Sequence, residues 1–231
     1  MGYEIMKKHI PNIITLCNMG CGVVATLMAL EEEWGMTMLF VVLGVMFDFC
    51  DGATARALNV QSPMGKELDS LADLITSGFT PGAVVFMMLA PLSTYCICIP
   101  YLGFLITLFS GLRLAKFNVD ERQTSSFIGL ATPANALFWI GIAYSYGDIL
   151  MNRELCLWMI LGMVIVSCLL LVCGLPMFSL KFHNFKWKEN IVRYTFLLLC
   201  LAIIAVAKLD SLPYIIILYV IISLIVWLYR K

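Results

Sequence analysis

The chain has 231 residues, of which 61% are hydrophobic and 13% are charged, and its formal net charge is +0. Soluble domains are closer to half apolar and a quarter charged, so this composition excludes an ordinary soluble protein and indicates a protein that crosses a membrane several times. We expect the lipid bilayer, and no nucleic acid, among its partners.

Apolar runs follow one another along the whole chain, with short polar turns between them. A spanning helix needs about 20 residues, which leaves room for about six to eight spans. We predict an all-α, polytopic membrane protein with eight transmembrane helices, at about 10–30, 36–57, 66–90, 95–117, 130–147, 154–175, 192–208 and 212–229. Residues 1–231 are treated as a single integral-membrane domain, with a core at about 1–175 and two extra helices at about 190–231.

Basic residues segregate to one side of this arrangement. If the eight runs alternate in direction, only Arg153 and Lys208 fall on the side away from the two termini. Lys and Arg accumulate in the cytoplasmic loops of membrane proteins. We therefore predict a multi-pass protein of the inner (cytoplasmic) cell membrane, with both termini in the cytoplasm.

Four aspartates interrupt the second and third apolar runs. Asp48 and Asp51 are spaced i,i+3, and Asp69 and Asp73 are spaced i,i+4, so each pair shares a face of its helix. Because a charge near the bilayer midplane costs about 2.5–3.5 kcal/mol, the acids need partners. Neutralisation by basic residues such as Arg56 alone would leave uncompensated charge. Two facing carboxylate pairs instead predict a site for a hard divalent cation.

Small residues and an arginine beside these acids indicate that the site also binds phosphate. Gly52 and Ala55 leave one helix face bare, so that a bulky anion can approach the backbone. The Arg56 guanidinium can hold phosphate oxygens bidentately. Carboxylates repel phosphate unless a cation such as Mg²⁺ or Mn²⁺ joins them. The stretch therefore predicts a metal–diphosphate site at the cytoplasmic membrane edge, where a carboxylate can accept a proton from an attacking hydroxyl.

One pattern unites these residues: Asp48-x-x-Asp51-Gly52-x-x-Ala55-Arg56, eight residues, then Gly65-x-x-x-Asp69-x-x-x-Asp73. It resembles the signature of the CDP-alcohol phosphotransferases. That resemblance implies a helical membrane fold and transfer of a substituted phosphate from a CDP-linked alcohol to a second alcohol, with release of CMP. It also implies a homodimer.

The same resemblance implies roles for individual residues. Asp48, Asp51 and Asp69 would ligate a centre of two divalent cations, Mg²⁺ or Mn²⁺. Asp73 would bind the second metal and act as the proton acceptor. The implied contacts of the CDP-lipid are Gly52 and Arg56 in the motif, Ser62 after it, and Asn12 and Thr15 in the amino-terminal segment.

Three segments narrow the choice of acceptor: 65–73, Gly111-Leu-Arg113-Leu-Ala-Lys116-Phe-Asn118, and 127–134. They resemble the bacterial-type phosphatidylserine synthase branch, which implies CDP-diacylglycerol and L-serine as substrates. Serine carries a carboxylate that needs a cation, and Arg113 and Lys116 offer one. As alternatives, Arg113 and Lys116 anchor the protein at the membrane surface and Asn118 caps a helix.

Other functions stay open at this point. Another acceptor, glycerol 3-phosphate or inositol phosphate, would carry an extra phosphate and require more cations around the acceptor. Two more distant alternatives are an intramembrane prenyltransferase and a metal transporter. The clustering of the acids in one segment, without an inverted repeat, argues against a transporter.

Overall fold

The computed structural model describes residues 2–93, 96–119, 127–152, 155–178 and 190–229. These residues are almost entirely helical, which confirms the all-α prediction. The α-helices are α1 (Gly2–Leu30), α2 (Trp34–Leu58), α3 (Pro63–Asp73), α4 (Thr80–Leu89), α5 (Leu105–Val119), α6 (Thr132–Met151), α7 (Cys156–Val172), α8 (Ile191–Ala207) and α9 (Leu212–Tyr229). The two described strands, β1 (Phe127–Ile128) and β2 (Pro176–Met177), form one antiparallel pair.

Within the described residues, five helical segments are long and apolar enough to cross a membrane: His9–Leu30, Trp34–Leu58, Pro63–Leu92, Pro100–Val119 and Ile191–Tyr229. The last of these contains α8 and α9, which a 3-10 turn at Lys208–Ser211 separates. The protein is thus multi-pass, but the predicted count of eight spans is not confirmed. Arg153, one exception to the charge segregation, lies outside the described residues.

A short turn joins the two halves of the acidic motif. Asn59 ends α2 in the left-handed conformation, with φ of 54°. Its N–H bonds back to carbonyls of the last turn of α2, which is how such a residue ends a helix. Ser62 then caps α3, because its hydroxyl accepts the Gly65 N–H at 3.0 Å, and Pro63 follows at a position that needs no N–H. The end of α2 and the start of α3 therefore lie side by side.

A π-helical segment, Leu74–Phe79, begins directly after Asp73. Such wide turns leave backbone groups to be satisfied elsewhere and are frequent at functional sites. Here the Thr80 hydroxyl lies 3.2 Å from the Ile75 carbonyl and 3.1 Å from the Gly22 carbonyl on α1. These contacts tie the π-helical segment to α1.

Glycines allow α1, α2 and the π-helical segment to approach one another closely. A Cβ atom on Gly22 would lie 2.7 Å from Thr76 Cα, and one on Gly44 would lie 2.9 Å from Asn18 Oδ1. Small residues are the usual means of close helix packing in membranes. Around this junction, the apolar core contains side chains from α2, α4, α6 and α7, among them Val41, Met88, Leu89, Trp139, Ile140 and Ile160.

Candidate active site and metal centre

Three carboxylates from two helices converge at the α2–α3 junction. Asp48 and Asp51 on α2 and Asp69 on α3 each offer an oxygen, and these three oxygens lie within 4.8 Å of one another. Carboxylate oxygens are the ligands that Mg²⁺ and similar hard cations prefer. Asp69 Oδ1 is buried without a hydrogen-bond partner, so it is free to coordinate. The three aspartates therefore fit a divalent cation.

Helix α1 contributes a hydroxyl that orients one of these carboxylates. Thr15 Oγ1 lies 2.5 Å from Asp51 Oδ2 and 3.0 Å from the Pro11 carbonyl oxygen. A hydroxyl has one proton, so it donates to one of these acceptors at a time. Both Thr15 and Asp51 are buried. Thr15 thus holds Asp51, in addition to its predicted contact with the CDP-lipid.

A cavity of about 560 Å³ opens beside the carboxylates. This size is typical of pockets for small-molecule ligands. Asp51 and Asp69 form part of its wall, and the wall includes all five predicted contacts of the CDP-lipid: Asn12, Thr15, Gly52, Arg56 and Ser62. These five come from α1, from the end of α2 and from the turn before α3. The structure therefore brings together residues that the sequence places up to fifty positions apart.

Two glycines keep this cavity open. A Cβ atom on Gly52 would lie 3.4 Å from Arg56 Nη1, and a Cβ on Gly65 would lie 3.3 Å from Asn12 Oδ1. The contact at Gly65 is tighter than normal packing, and the contact at Gly52 is at the limit of ordinary van der Waals contact. The glycines thus leave room for the Arg56 guanidinium and the Asn12 amide at the cavity wall.

Asp73 is not among the three carboxylates whose oxygens lie within 4.8 Å of one another, but it interacts electrostatically with Asp48 and Asp69. It lies one turn after Asp69, faces the Asn18 side chain of α1, and interacts electrostatically with Arg113 of α5. The structure therefore surrounds Asp73 with potential donors from two other helices. Its predicted roles, as a ligand of a second metal and as the proton acceptor, stay predictions.

Arg113 is a buried cation and not a surface anchor. Its side chain is 8% exposed, and its Nη1 donates to Thr132 Oγ1 at 3.2 Å. The guanidinium carbon lies 5.9 Å from the centroid of the Phe117 ring. Its Nε–H is buried without a hydrogen-bond partner. Arg113 therefore keeps a donor available next to Asp73, where an anionic group can bind.

The two other predicted acceptor contacts do not line the cavity beside the carboxylates. Lys116 is exposed. Asn118 joins α5 to α3, because its Nδ2 donates to Ser70 Oγ at 2.8 Å and its carbonyl accepts from Lys66 Nζ at 2.9 Å. The prediction that Lys116 and Asn118 bind the acceptor is untested, but these contacts give Asn118 a structural role.

A profile of the CDP-alcohol phosphatidyltransferase family matches residues 8–173. The chain belongs to this family. The match includes the carboxylates, the cavity and Arg113, and it ends before α8 and α9.

Curated relatives of this family member are named CDP-diacylglycerol–serine O-phosphatidyltransferase. A Bacillus subtilis protein of that name is 34% identical over 153 residues, which is 64% of this chain and 83% of that protein. A Mycobacterium bovis protein is 30% identical over 228 residues, 93% of this chain and 74% of that protein. A Helicobacter pylori protein is 28% identical over 236 residues, 95% of this chain and 91% of that protein.

Three residues near the site were not predicted from the sequence. Lys66 lines the cavity, whereas a lysine at the end of a membrane helix is usually interpreted as a charge at the membrane surface. Thr132 contacts Arg113, and Asn18 faces Asp73. Asn18 carried a usable signal, since an amide within a long apolar run needs a polar partner. Nothing in the sequence indicated which partner it would have.

Proposed function

We propose that this protein is a CDP-diacylglycerol–serine O-phosphatidyltransferase, which transfers the phosphatidyl group of CDP-diacylglycerol to the hydroxyl of L-serine and releases CMP. One observation carries the proposal: a single cavity joins two of the clustered carboxylates to every residue predicted to contact the CDP-lipid. The names of the relatives support serine as the acceptor.

In this proposal the CDP head group lies in the cavity and the acyl chains remain in the lipid. Arg56 holds diphosphate oxygens through its two-pronged guanidinium, and Asn12 and Ser62 bind neighbouring polar groups. Gly52 allows the diphosphate to approach α2 closely. Lys66, on the cavity wall, adds a second positive charge near the anionic head group.

The aspartates would hold two divalent cations, Mg²⁺ or Mn²⁺, with Asp48, Asp51 and Asp69 as ligands and Asp73 on the second ion. When bound, the cations neutralise the diphosphate and stabilise the negative charge on the leaving CMP. Thr15 keeps Asp51 in position for this task through its hydrogen bond.

Asp73 accepts the proton of the serine hydroxyl. The serine oxygen then forms a bond to the β-phosphorus of CDP-diacylglycerol, and the bond from that phosphorus to the bridging oxygen breaks. CMP leaves with the electron pair. Arg113 binds the serine carboxylate through its unused donor and so places the hydroxyl next to Asp73. The transfer is direct, because the motif supplies no separate nucleophile.

The protein would lie in the inner membrane with its termini and active site in the cytoplasm, where serine is available. It would act as a homodimer and as one catalytic domain, 1–231. These features follow from the segregation of basic residues and from the family resemblance.

The test is a reaction of the purified protein with CDP-diacylglycerol, Mn²⁺ or Mg²⁺, and a panel of acceptors. We expect CMP release and a new aminophospholipid only with L-serine. CMP release with glycerol 3-phosphate and none with serine would contradict the assigned acceptor. Uptake of metal ions into vesicles without CMP release would contradict the enzymatic function altogether.

The assignment of the base is tested by Asp73→Asn. This variant should lose turnover while it still binds CDP-diacylglycerol, because Asp48, Asp51 and Asp69 and the cavity remain. Full activity of the variant would contradict the role of Asp73.

A further inference from the structure

Asn18 is an unusual residue for the middle of a membrane helix. Its side chain is 1% exposed, and neither Oδ1 nor Nδ2 forms a hydrogen bond of normal geometry. Among the buried side-chain amides that the structure describes, it is the one whose donor and acceptor are both unpaired. Each unpaired buried group costs roughly 1–3 kcal/mol, so this amide calls for a functional explanation.

The surroundings of Asn18 fix the orientation of the amide. The Thr76 hydroxyl in the π-helical segment donates to the Asn18 carbonyl oxygen at 3.0 Å. A Cβ atom on Gly44 would lie 2.9 Å from Asn18 Oδ1, so the amide oxygen points toward α2 at Gly44. The amide nitrogen is therefore turned away from Gly44.

The nitrogen faces the Asp73 carboxylate, although the contact falls short of a complete hydrogen bond. An amide turned the other way would present its oxygen to the carboxylate, and two acceptors would repel each other. Catalytic hydrogen bonds are often long in ligand-free enzymes and tighten when the substrates bind. The observed contact fits that behaviour.

We propose that Asn18 is a positioning residue for Asp73, an inference that rests on the proposed function. Its Nδ2–H donates a hydrogen bond to one carboxylate oxygen of Asp73. The other oxygen is thereby left to the second cation and to the hydroxyl of the acceptor. An amide suits this task because its N–H donates a directed hydrogen bond to a carboxylate oxygen. Arg113 lies near the same carboxylate and binds the acceptor.

The test compares Asn18→Leu, which keeps the approximate size but removes the donor, with Asn18→Gln, which keeps the donor on a longer side chain. We expect Asn18→Leu to lower kcat on the order of 100-fold, the cost of losing the alignment of a reacting group. The KM and the binding constant for CDP-diacylglycerol should stay within about twofold, because Asn18 does not line the cavity. Asn18→Gln should recover part of kcat.

Thr37→Val is the control for the loss of a buried polar group. It removes a buried hydroxyl that donates to the Glu33 carbonyl at 3.0 Å, at the start of α2, whereas the carboxylates lie near the end of that helix. We expect it to lower the midpoint of thermal unfolding and to leave kcat unchanged. If Asn18 were merely structural, Asn18→Leu would behave like this control.

Three results would overturn the role of Asn18. In the first, Asn18→Leu keeps full kcat. In the second, it lowers the affinity for CDP-diacylglycerol as much as kcat. In the third, Asn18→Leu does not fold, and Asn18→Ala, which also lacks the donor, folds and keeps full kcat. A wild-type protein that releases CMP only with another acceptor contradicts serine as substrate but leaves this comparison valid with that acceptor. A wild-type protein that releases no CMP refutes both proposals.

Discussion

Because α1 lies very close to the π-helical segment, we predict that Gly22→Ala destabilises the protein. A Cβ atom there would lie 2.7 Å from Thr76 Cα and 2.9 Å from Thr76 N. These are backbone atoms, so no side-chain rotation can relieve the clash, and the two helices must move apart. Overpacking of this kind costs about 1–3 kcal/mol. Alanine is also the better helix former, by up to about 1 kcal/mol, which partly offsets the loss.

Gly20 supplies the control for Gly22→Ala. It lies two residues earlier on α1, is exposed, and a Cβ atom there would meet nothing within 4 Å. Gly20→Ala carries the same gain in helix propensity without the clash. The difference in the free energy of unfolding between the two variants, about 1–3 kcal/mol, therefore isolates the contact. We expect Gly20→Ala to match or exceed the wild type in stability.

The assay is reversible unfolding in mixed detergent micelles, with CMP release measured on the same samples. Gly22→Ala should also lower turnover, because the π-helical segment directly follows Asp73 and a displaced segment moves that carboxylate. Equal stability of Gly22→Ala and Gly20→Ala would refute the close packing of α1 on the π-helical segment.

Three further predictions concern the site. Asp69→Asn should raise the Mn²⁺ concentration for half-maximal CMP release by more than about 100-fold, and a chelator should stop the wild-type reaction until Mn²⁺ is restored. Thr15→Val removes the 2.5 Å contact with Asp51 and should weaken the response to Mn²⁺ by about tenfold, whereas an unchanged titration would contradict the positioning of Asp51. Arg56→Lys keeps the charge but loses the planar fork, so the KM for CDP-diacylglycerol should rise by about tenfold while the KM for serine stays constant.

The helices could be located from the sequence because the signals are local. Hydropathy over about 20 residues marks a membrane helix, whatever its neighbours are. The described helices fall on the predicted runs. The turn between α2 and α3 is equally local, since Asn59 ends one helix and Ser62 begins the next. The number of runs that actually cross the bilayer depends on helix length and burial, and so the count of eight remains a prediction.

The candidate site was predictable only in part. The i,i+3 spacing correctly placed Asp48 and Asp51 on one face of α2, beside Asp69. The i,i+4 spacing could not show that Asp73 would also meet Asn18 of α1 and Arg113 of α5. Four residues along a helix are about 6 Å of axial rise, so each member of such a pair meets different neighbours.

By itself, the sequence determined the class of protein, its helices, and a motif that combines carboxylates with a phosphate-binding arginine. Only the tertiary structure decided that Thr15 of α1 bonds to Asp51, and that Asn18 faces Asp73. The physical reason is that helix faces meet where small residues permit close approach. The sequence does not show which helix Gly22 and Gly44 contact. In the structure, both glycines allow the close approach that brings α1 to the helices with the aspartates.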